Sequence, residues 1–224
     1  MPRKAVVLLS GGLDSTTVLA IAREQGFECY ALSFHYGQRH FSELRAAANV
    51  AHALGAVEHV TVNVEMPWSK SALTRGAEVP KGRAPHEMAR GIPVTYVPAR
   101  NMIFLAHALS WAESIGASDI FAGMNILDYS GYPDCRPEFN AAFRKTARLG
   151  TRRGAEGKRL SLLAPLQRLD KAGIVRLARR LKVPLELTWS CYQGGRRPCG
   201  RCDSCKLRAR GFAAAGRVDP ALSR

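Results

Sequence analysis

The sequence predicts an α/β fold: five parallel strands in one sheet, with helices on both faces and a small cysteine-rich segment at the C-terminal end. Three observations predict it. Short apolar runs bounded by glycine alternate with segments of helical period through most of the 224 residues. The connections between them are long enough for crossovers, which favours parallel pairing. Four of the six cysteines fall within the last 34 residues, where they define a separate local unit.

Ala5–Ser10 is apolar without helical period and ends in Gly11-Gly12, as a buried parallel strand does. Ser15–Gln25 reads as a helix stopped by Gly26, and Cys29–His35 as a second strand. Phe41–Leu54, rich in Ala and closed by Gly55, is a second helix. Glu58–Val64 alternates Val60, Val62 and Val64 as a third strand. From Glu65 to Pro98 prolines and glycines break every period, and a connection this long is expected to be functional or mobile. Arg100–Ile115 is a helix, Ser118–Gly123 a fourth strand, and Pro137–Leu149 a helix with Pro in its first turn. Gly150–Arg159 reads as a polar, basic loop and Leu160–Ala164 as the fifth strand. Asp170 caps a helix carrying Ile174, Leu177, Ala178 and Leu181 at helical spacing. The expected division is 1–185 for the α/β body, with 65–98 as its long loop, and 186–224 for the C-terminal segment.

A hydrophobic fraction of 46% and a charged fraction of 23% are those of a soluble globular chain. No run approaches the ~20 apolar residues of a membrane span. The first apolar run is too short for a signal peptide, so a cytoplasmic protein is expected. The net charge of +15 is uneven: residues 136–224 hold 22 Lys and Arg against six Asp and Glu. Such a skew suggests a polyanionic partner or several phosphate contacts, against the plainer reading of a solvated basic surface.

Ser10-Gly11-Gly12-Leu13-Asp14-Ser15-Thr16 sits between the first strand and the first helix. Glycines let a phosphate approach the backbone, N–H groups point at one oxyanion, and the helix start adds partial positive charge. Ser10, Ser15 and Thr16 add hydroxyl donors, while Asp14 fits a Mg²⁺ ligand or a cap for local N–H groups. The ending of the P-loop and the third glycine of the dinucleotide fingerprint are both missing. The loop resembles the pyrophosphate-binding loop of the ATP pyrophosphatases, Ser-Gly-Gly-x-Asp-Ser. That resemblance implies an adenine-nucleotide-alpha-hydrolase-like, Rossmann-like body with ATP held along Leu9–Leu19: Leu9, Ser10, Gly11, Gly12, Leu13, Asp14, Ser15, Thr16, Thr17, Val18 and Leu19.

Cys191-x7-Cys199-x2-Cys202-x2-Cys205 offers four thiolates, enough to close a tetrahedral Zn²⁺ site of structural type. Gly194, Gly195 and Gly200 supply turns, and Arg196, Arg197, Arg201 and Lys206 offset the thiolate charge. An iron–sulfur cluster is the main competitor, but its pattern continues to Cys-Pro, whereas here Pro198 precedes the run. The remaining histidines show no spaced metal pattern.

Further segments are richer in polar and aromatic residues than a core needs: Tyr36–His40, Val97–Asn101, Asp128–Phe139 and Thr188–Cys191. With the phosphate loop and the cysteines they resemble the 7-cyano-7-deazaguanine synthases, the nitrile-forming family of the queuosine pathway, over essentially the whole chain. The resemblance implies a homodimer that converts 7-carboxy-7-deazaguanine, ammonia and ATP into the nitrile by adenylating first the carboxylate and then the amide. It implies charge-countering or catalytic roles for Asp14, Arg39, Arg100 and Lys171. Tyr36, Gln38, His40, Asn101, Asp128, Tyr129, Tyr132, Asp134 and Arg136 are the residues implied around the substrate. One structural zinc per chain and Mg²⁺ complete the set. Three rival readings stand beside this one: an adenylating enzyme acting on tRNA, a zinc-ribbon module that binds nucleic acid, and a paralogue that attaches a deazaguanine to another acceptor.

Overall fold

The computed structural model describes residues 2–74, 78–88, 91–125 and 131–222. Its strands are β1 (Arg3–Leu8), β2 (Phe27–His35), β3 (Glu58–Asn63), β4 (Asp119–Phe121) and β5 (Ser161–Leu163). They form one sheet in the order β3-β2-β1-β4-β5, and every pair is parallel. The helices are α1 (Leu13–Glu24), α2 (Ser42–Ala53), α3 (Pro85–Met88), α4 (Arg100–Ser114), α5 (Pro137–Gly150), α6 (Arg152–Ala155), α7 (Lys171–Arg180) and α8 (Asp203–Ala214).

Period-two alternation along β1 sorts its side chains into two layers. Ala5, Val7 and Leu9 pack with α1, α2, α7 and Phe212 of α8. Val6 faces Leu105 and Ala108 of α4 and Phe143 of α5. Both faces are therefore covered, which explains why β1 reads as a continuous apolar run. The chain moves outward from β1 to β3, then returns to the other side of β1 with β4. That reversal opens a crevice at the carboxyl ends of β1 and β4, where ligands bind in folds of this type.

Several expectations hold in detail. Asp170 Oδ1 accepts from the Gly173 N–H at 2.7 Å, capping α7. Ile174 and Ala178 are buried, while Arg176, Arg179, Arg180 and Lys182 are exposed. Others need correction. The stretch 150–159 is not simply a loop: Thr151 Oγ1 accepts from Gly154 N at 3.0 Å and starts α6. Arg159 then pairs with the fully buried carboxylate of Asp119 at 2.9 Å. Composition marks this stretch as polar, but it does not show the local cap, and the ion pair that ties Arg159 to Asp119 is tertiary.

The long connection 65–98 is also built in, as far as it is described. Met66, Leu73 and Val97 join the α4–α5 layer. Ala72 and Val79 pack against Cys191, Cys202 and Cys205. Gly82 N donates to the Arg201 carbonyl at 3.0 Å, and Arg83 grips the Asp203 carboxylate through Nε at 3.1–3.2 Å. The segment after 186 is fastened to the body in turn. Arg208 of α8 holds Asp219 at 2.6 and 2.9 Å, Thr188 Oγ1 at 2.8 Å and the Leu185 carbonyl at 3.3 Å. α8 itself went unread in the sequence, because its cysteines and arginines mask the helical period.

Candidate active site

The turn from β1 into α1 lies at the crevice between β1 and β4. Gly11 adopts φ +76°, and a Cβ there would sit 2.4 Å from Ala47 N and 2.6 Å from the Glu43 carbonyl. Only glycine lets the loop press against the backbone of α2. The Ser10 and Ser15 hydroxyls lie 3.0 Å apart, and Ser10 N donates to Ser15 Oγ at 3.1 Å. Gly12, the N-cap of α1, supplies no side-chain cap. The first N–H groups of α1 thus keep their positive end toward the crevice, the arrangement that attracts an oxyanion. Gly11→Ala is expected to cost at least about 3 kcal/mol, from left-handed backbone strain and overpacking together. Thermal unfolding should register it as a drop of roughly 6–12 °C.

Asp14, in the first turn of α1, is clamped on one oxygen. Lys171 Nζ donates to its Oδ2, and Asn125 Nδ2 donates to the same atom at 2.9 Å. Among the described residues its buried Oδ1 has no hydrogen-bond partner, nor has the Thr16 hydroxyl. Lys171 reaches Asp14 because it opens α7, 157 residues further on. Gly123, just past β4, comes so close to the start of α1 that a Cβ would lie 3.3 Å from Ser15 N.

A cavity of about 370 Å³ opens from this loop, lined on the loop side by Leu9, Ser10, Gly12, Leu13, Asp14 and Ser15. That is the size of a small-molecule site. The end of β2 contributes Tyr36, Gln38, Arg39 and His40, and α4 contributes Arg100 and Asn101. Arg100 Nη1 donates to the Tyr36 hydroxyl at 3.1 Å, with its guanidinium 5.3 Å from the ring centroid. Burial pushes the Tyr36 hydroxyl above its ordinary pKa. Gln38 accepts from Tyr36 N at 2.7 Å and donates to the Phe34 carbonyl at 3.0 Å, so it shapes the turn. Arg39 Nε donates to the Ala72 carbonyl at 2.9 Å, tying this wall to the 65–98 connection. His40 packs edge-on to Trp189, and burial pushes its pKa down. Tyr132 hydrogen-bonds Thr95 at 2.9 Å.

Not every expected residue reaches the cavity. Val18 and Leu19 are fully buried in the core, and Thr17 spends its hydroxyl on the Leu13 carbonyl at 2.7 Å. Asp134 accepts from Asn101 N at 2.9 Å and so caps α4 from a distance instead of lining the cavity. Arg136 is exposed at the N-cap of α5. The expected substrate residues Asp128 and Tyr129 lie outside the described residues. Conversely, the sequence reading passed over Glu43, Asn125, Arg83 and Arg208. Glu43 lines the cavity from the first turn of α2. Burial pushes its carboxyl up to about 7, with Arg100 pulling the other way. An acid in a first helical turn is so ordinary a dipole partner that nothing in the sequence singles it out.

The sulfurs of Cys191, Cys199, Cys202 and Cys205 all lie within 4.8 Å of one another, with none oxidised to a disulfide. Four sulfurs about 2.3 Å from a zinc ion would be about 3.8 Å apart, and the Cys199 and Cys205 sulfurs are separated by 3.9 Å. Cys191 Sγ accepts from Cys199 N at 3.3 Å and from Gln193 N at 3.4 Å. Such donors favour thiolates, and the Cys202 and Cys205 thiols push the Cys191 pKa down further. The donor set fits a metal such as zinc and leaves no position for a substrate. Trp189 N, two residues before Cys191, donates to the Gly11 carbonyl at 2.9 Å. The cysteine cluster and the phosphate-type loop are therefore one hydrogen bond apart along the chain.

The fold resembles that of NMN synthetase from Francisella tularensis, with a TM-score of 0.53 at 14% identity over 97% of this chain and 79% of that one. Curated relatives are far closer. A 7-cyano-7-deazaguanine synthase of Dechloromonas aromatica (strain RCB) is 58% identical, each chain being covered completely. One from Anaeromyxobacter dehalogenans (strain 2CP-C) is 58% identical over 97% of this chain and 94% of its own length. The family model for the queuosine biosynthesis protein QueC matches residues 4–216. With nearly full-length matches at this identity, the chain belongs to the QueC family.

Proposed function

We propose that this chain converts 7-carboxy-7-deazaguanine and ammonia to 7-cyano-7-deazaguanine with ATP, releasing AMP and pyrophosphate. The observation that carries the reading is the Ser10–Thr16 loop at the β1–β4 crevice, opening into a cavity of small-molecule size in a member of this family. Converting a carboxylate to a nitrile removes two oxygens, both poor leaving groups. Each is activated by transfer of AMP, so one ATP site serves twice. Ser10, Gly11, Gly12, Ser15 and Thr16 hold the pyrophosphate, and Arg39, Arg100 and Lys171 counter developing phosphate charge. Asp14 carries the carboxylate for Mg²⁺, its buried Oδ1 being the free ligand atom. Tyr36 and Tyr132 offer faces for the base, with Gln38, His40 and Asn101 beside them. The four cysteines hold one structural Zn²⁺. We extend the reading to a cytoplasmic homodimer, which sedimentation at micromolar concentration tests. Incubation with 7-carboxy-7-deazaguanine, ammonia and ATP should give a product mass lower than the substrate's by the change from CO₂H to CN.

The basic half of the chain favours a second reading, an enzyme that works on tRNA. If that enzyme transferred sulfur it would need a thiol in reach: Cys29 is buried in β2, where burial pushes its pKa up to about 11, which leaves Cys135 on the cavity wall as the thiol to test. Many of the cations are also exposed on faces turned from the core, including Arg144, Lys145, Arg148 and Arg152. Replacing these four with Gln is expected to leave nitrile formation within about two-fold of the parent, because exposed charges contribute little. RNA retention should be weak and fall steeply with salt, as counterion release requires. Loss of turnover, or nanomolar tRNA binding at physiological salt, would establish the second reading instead.

A further inference from the structure

Resting on the function proposed above, the geometry points to Glu43 as the residue that binds and orients the ammonia nitrogen. Among the described residues three acids line the cavity: Asp14, Glu43 and Asp203. Asp14 Oδ2 is taken up by Lys171 and Asn125 and its Oδ1 is assigned to Mg²⁺ above, and Asp203 is held by Arg83. Among the described residues no hydrogen bond or ion pair engages the Glu43 carboxyl. The side chain is half-buried and faces the cavity, so an unengaged carboxyl there is available to a ligand.

Its neighbours say which ligand. The backbone of Glu43 lies against Gly11, so its side chain starts at the edge of the phosphate-type loop. Arg83 and Arg208 are held by Asp203 and Asp219, and the other cations on the wall, Arg39, Arg100 and Lys171, suit phosphates and a carboxylate. A cationic or N–H-rich co-substrate finds its complement in a carboxylate, and Glu43 is the one left over. Ammonia is that co-substrate: it is mostly ammonium at neutral pH, and every hydrogen it brings must leave.

The proton count makes the role concrete. In the first half-reaction the ammonia lone pair forms a C–N bond to the acyl adenylate carbon. The C–O bond to AMP breaks, AMP departs with the bonding pair, and the proton shed by nitrogen passes to the Glu43 carboxylate. In the second, the adenylated amide loses AMP from carbon with the bonding pair, nitrogen gives up its last two protons, one to the Glu43 carboxylate after it has released the first to solvent and one to water, and the C≡N bond is completed. The attacking ammonia carries three protons, one more when it arrives as ammonium, and the nitrile nitrogen carries none, so an acceptor beside it is needed in both halves.

The experiment separates adenylation from amination in the intact protein, comparing Glu43→Gln and Glu43→Asp with the parent. Pyrophosphate–ATP exchange with 7-carboxy-7-deazaguanine should stay within about three-fold of the parent. Amide and nitrile formation should fall about 10²–10³-fold in Glu43→Gln, with the KM for ammonium at least ~10-fold higher. Glu43→Asp should recover part of the rate. Metal content equal to the parent's shows that the fold is retained. A parallel loss of exchange, or a raised KM for the deazaguanine with an unchanged KM for ammonium, would assign Glu43 elsewhere and overturn the proposal. So would parental turnover in Glu43→Gln. Parent protein that forms no nitrile at saturating ammonium would remove the underlying function, and the proposal with it.

Discussion

Asp14→Asn is expected to lower pyrophosphate–ATP exchange about 10²–10³-fold, the usual loss when a charge-stabilising group is removed from a site of this kind. The substitution keeps shape and removes charge. The Asn125 bond to Oδ2 at 2.9 Å survives if the new amide presents its oxygen there. The Lys171 ion pair does not survive, and both side chains of that pair are mostly buried, at 18% and 21% exposure. Losing this ion pair should therefore cost about 1–3 kcal/mol of stability as well. Substrate at saturating concentration recovers activity lost through stability but not activity lost through charge. Ser10→Ala is the milder companion: it deletes the 3.0 Å contact with Ser15 Oγ and leaves the pair intact. Near-parental exchange in both variants would show that the loop does not hold the nucleotide.

Cys199→Ser is expected to abolish binding of the one zinc ion per chain and to unfold the C-terminal segment locally. Structural zinc sites contribute on the order of 10 kcal/mol to the folding of small units, more than most single side chains can. The effect should not stay local. The cluster packs against Ala72 and Val79, and Trp189 ties it to Gly11. Loss of metal should therefore loosen the 65–98 connection and reduce pyrophosphate exchange together. Hydrogen exchange over 65–98 and 186–222 reads the first effect, elemental analysis the stoichiometry. Cys29→Ser, inside β2, should leave metal content unchanged. Iron in place of zinc in the purified protein would overturn the choice of metal, and intact zinc in Cys199→Ser would overturn the ligand set.

The strands and the principal helices before the C-terminal segment were legible in the sequence because each is set by local physics. A buried parallel strand must be apolar on both faces, and β1 is: Ala5, Val6 and Val7 are fully buried. The Ser10–Thr16 loop was legible because glycine at a strand–helix junction has a backbone reason to be there, and Gly11 at φ +76° shows it. The four cysteines were legible because their spacing alone brings thiolates within reach of one ion. Each of these signals is complete within about 15 residues of chain.

What the sequence could not determine is who meets whom across the crevice. Lys171 pairs with Asp14 across 157 residues, and Arg83 with Asp203 across 120. Asp134, which reads as a group for the substrate, turns out to cap α4, and Glu43, which reads as an ordinary helix-start acid, faces the cavity unengaged. A carboxylate's role depends on which donors reach it first, and those donors come from other elements of the sheet and its crossovers. Periodicity and spacing report only on neighbours along the chain. Composition sums charges without saying which are already paired, so the basic excess after 136 conceals Arg159 on Asp119 and Arg208 on Asp219. The sequence by itself determined the strands, the loop and the cysteine cluster; the tertiary structure decided which acids and bases are spent on holding the fold and which are left to face a ligand.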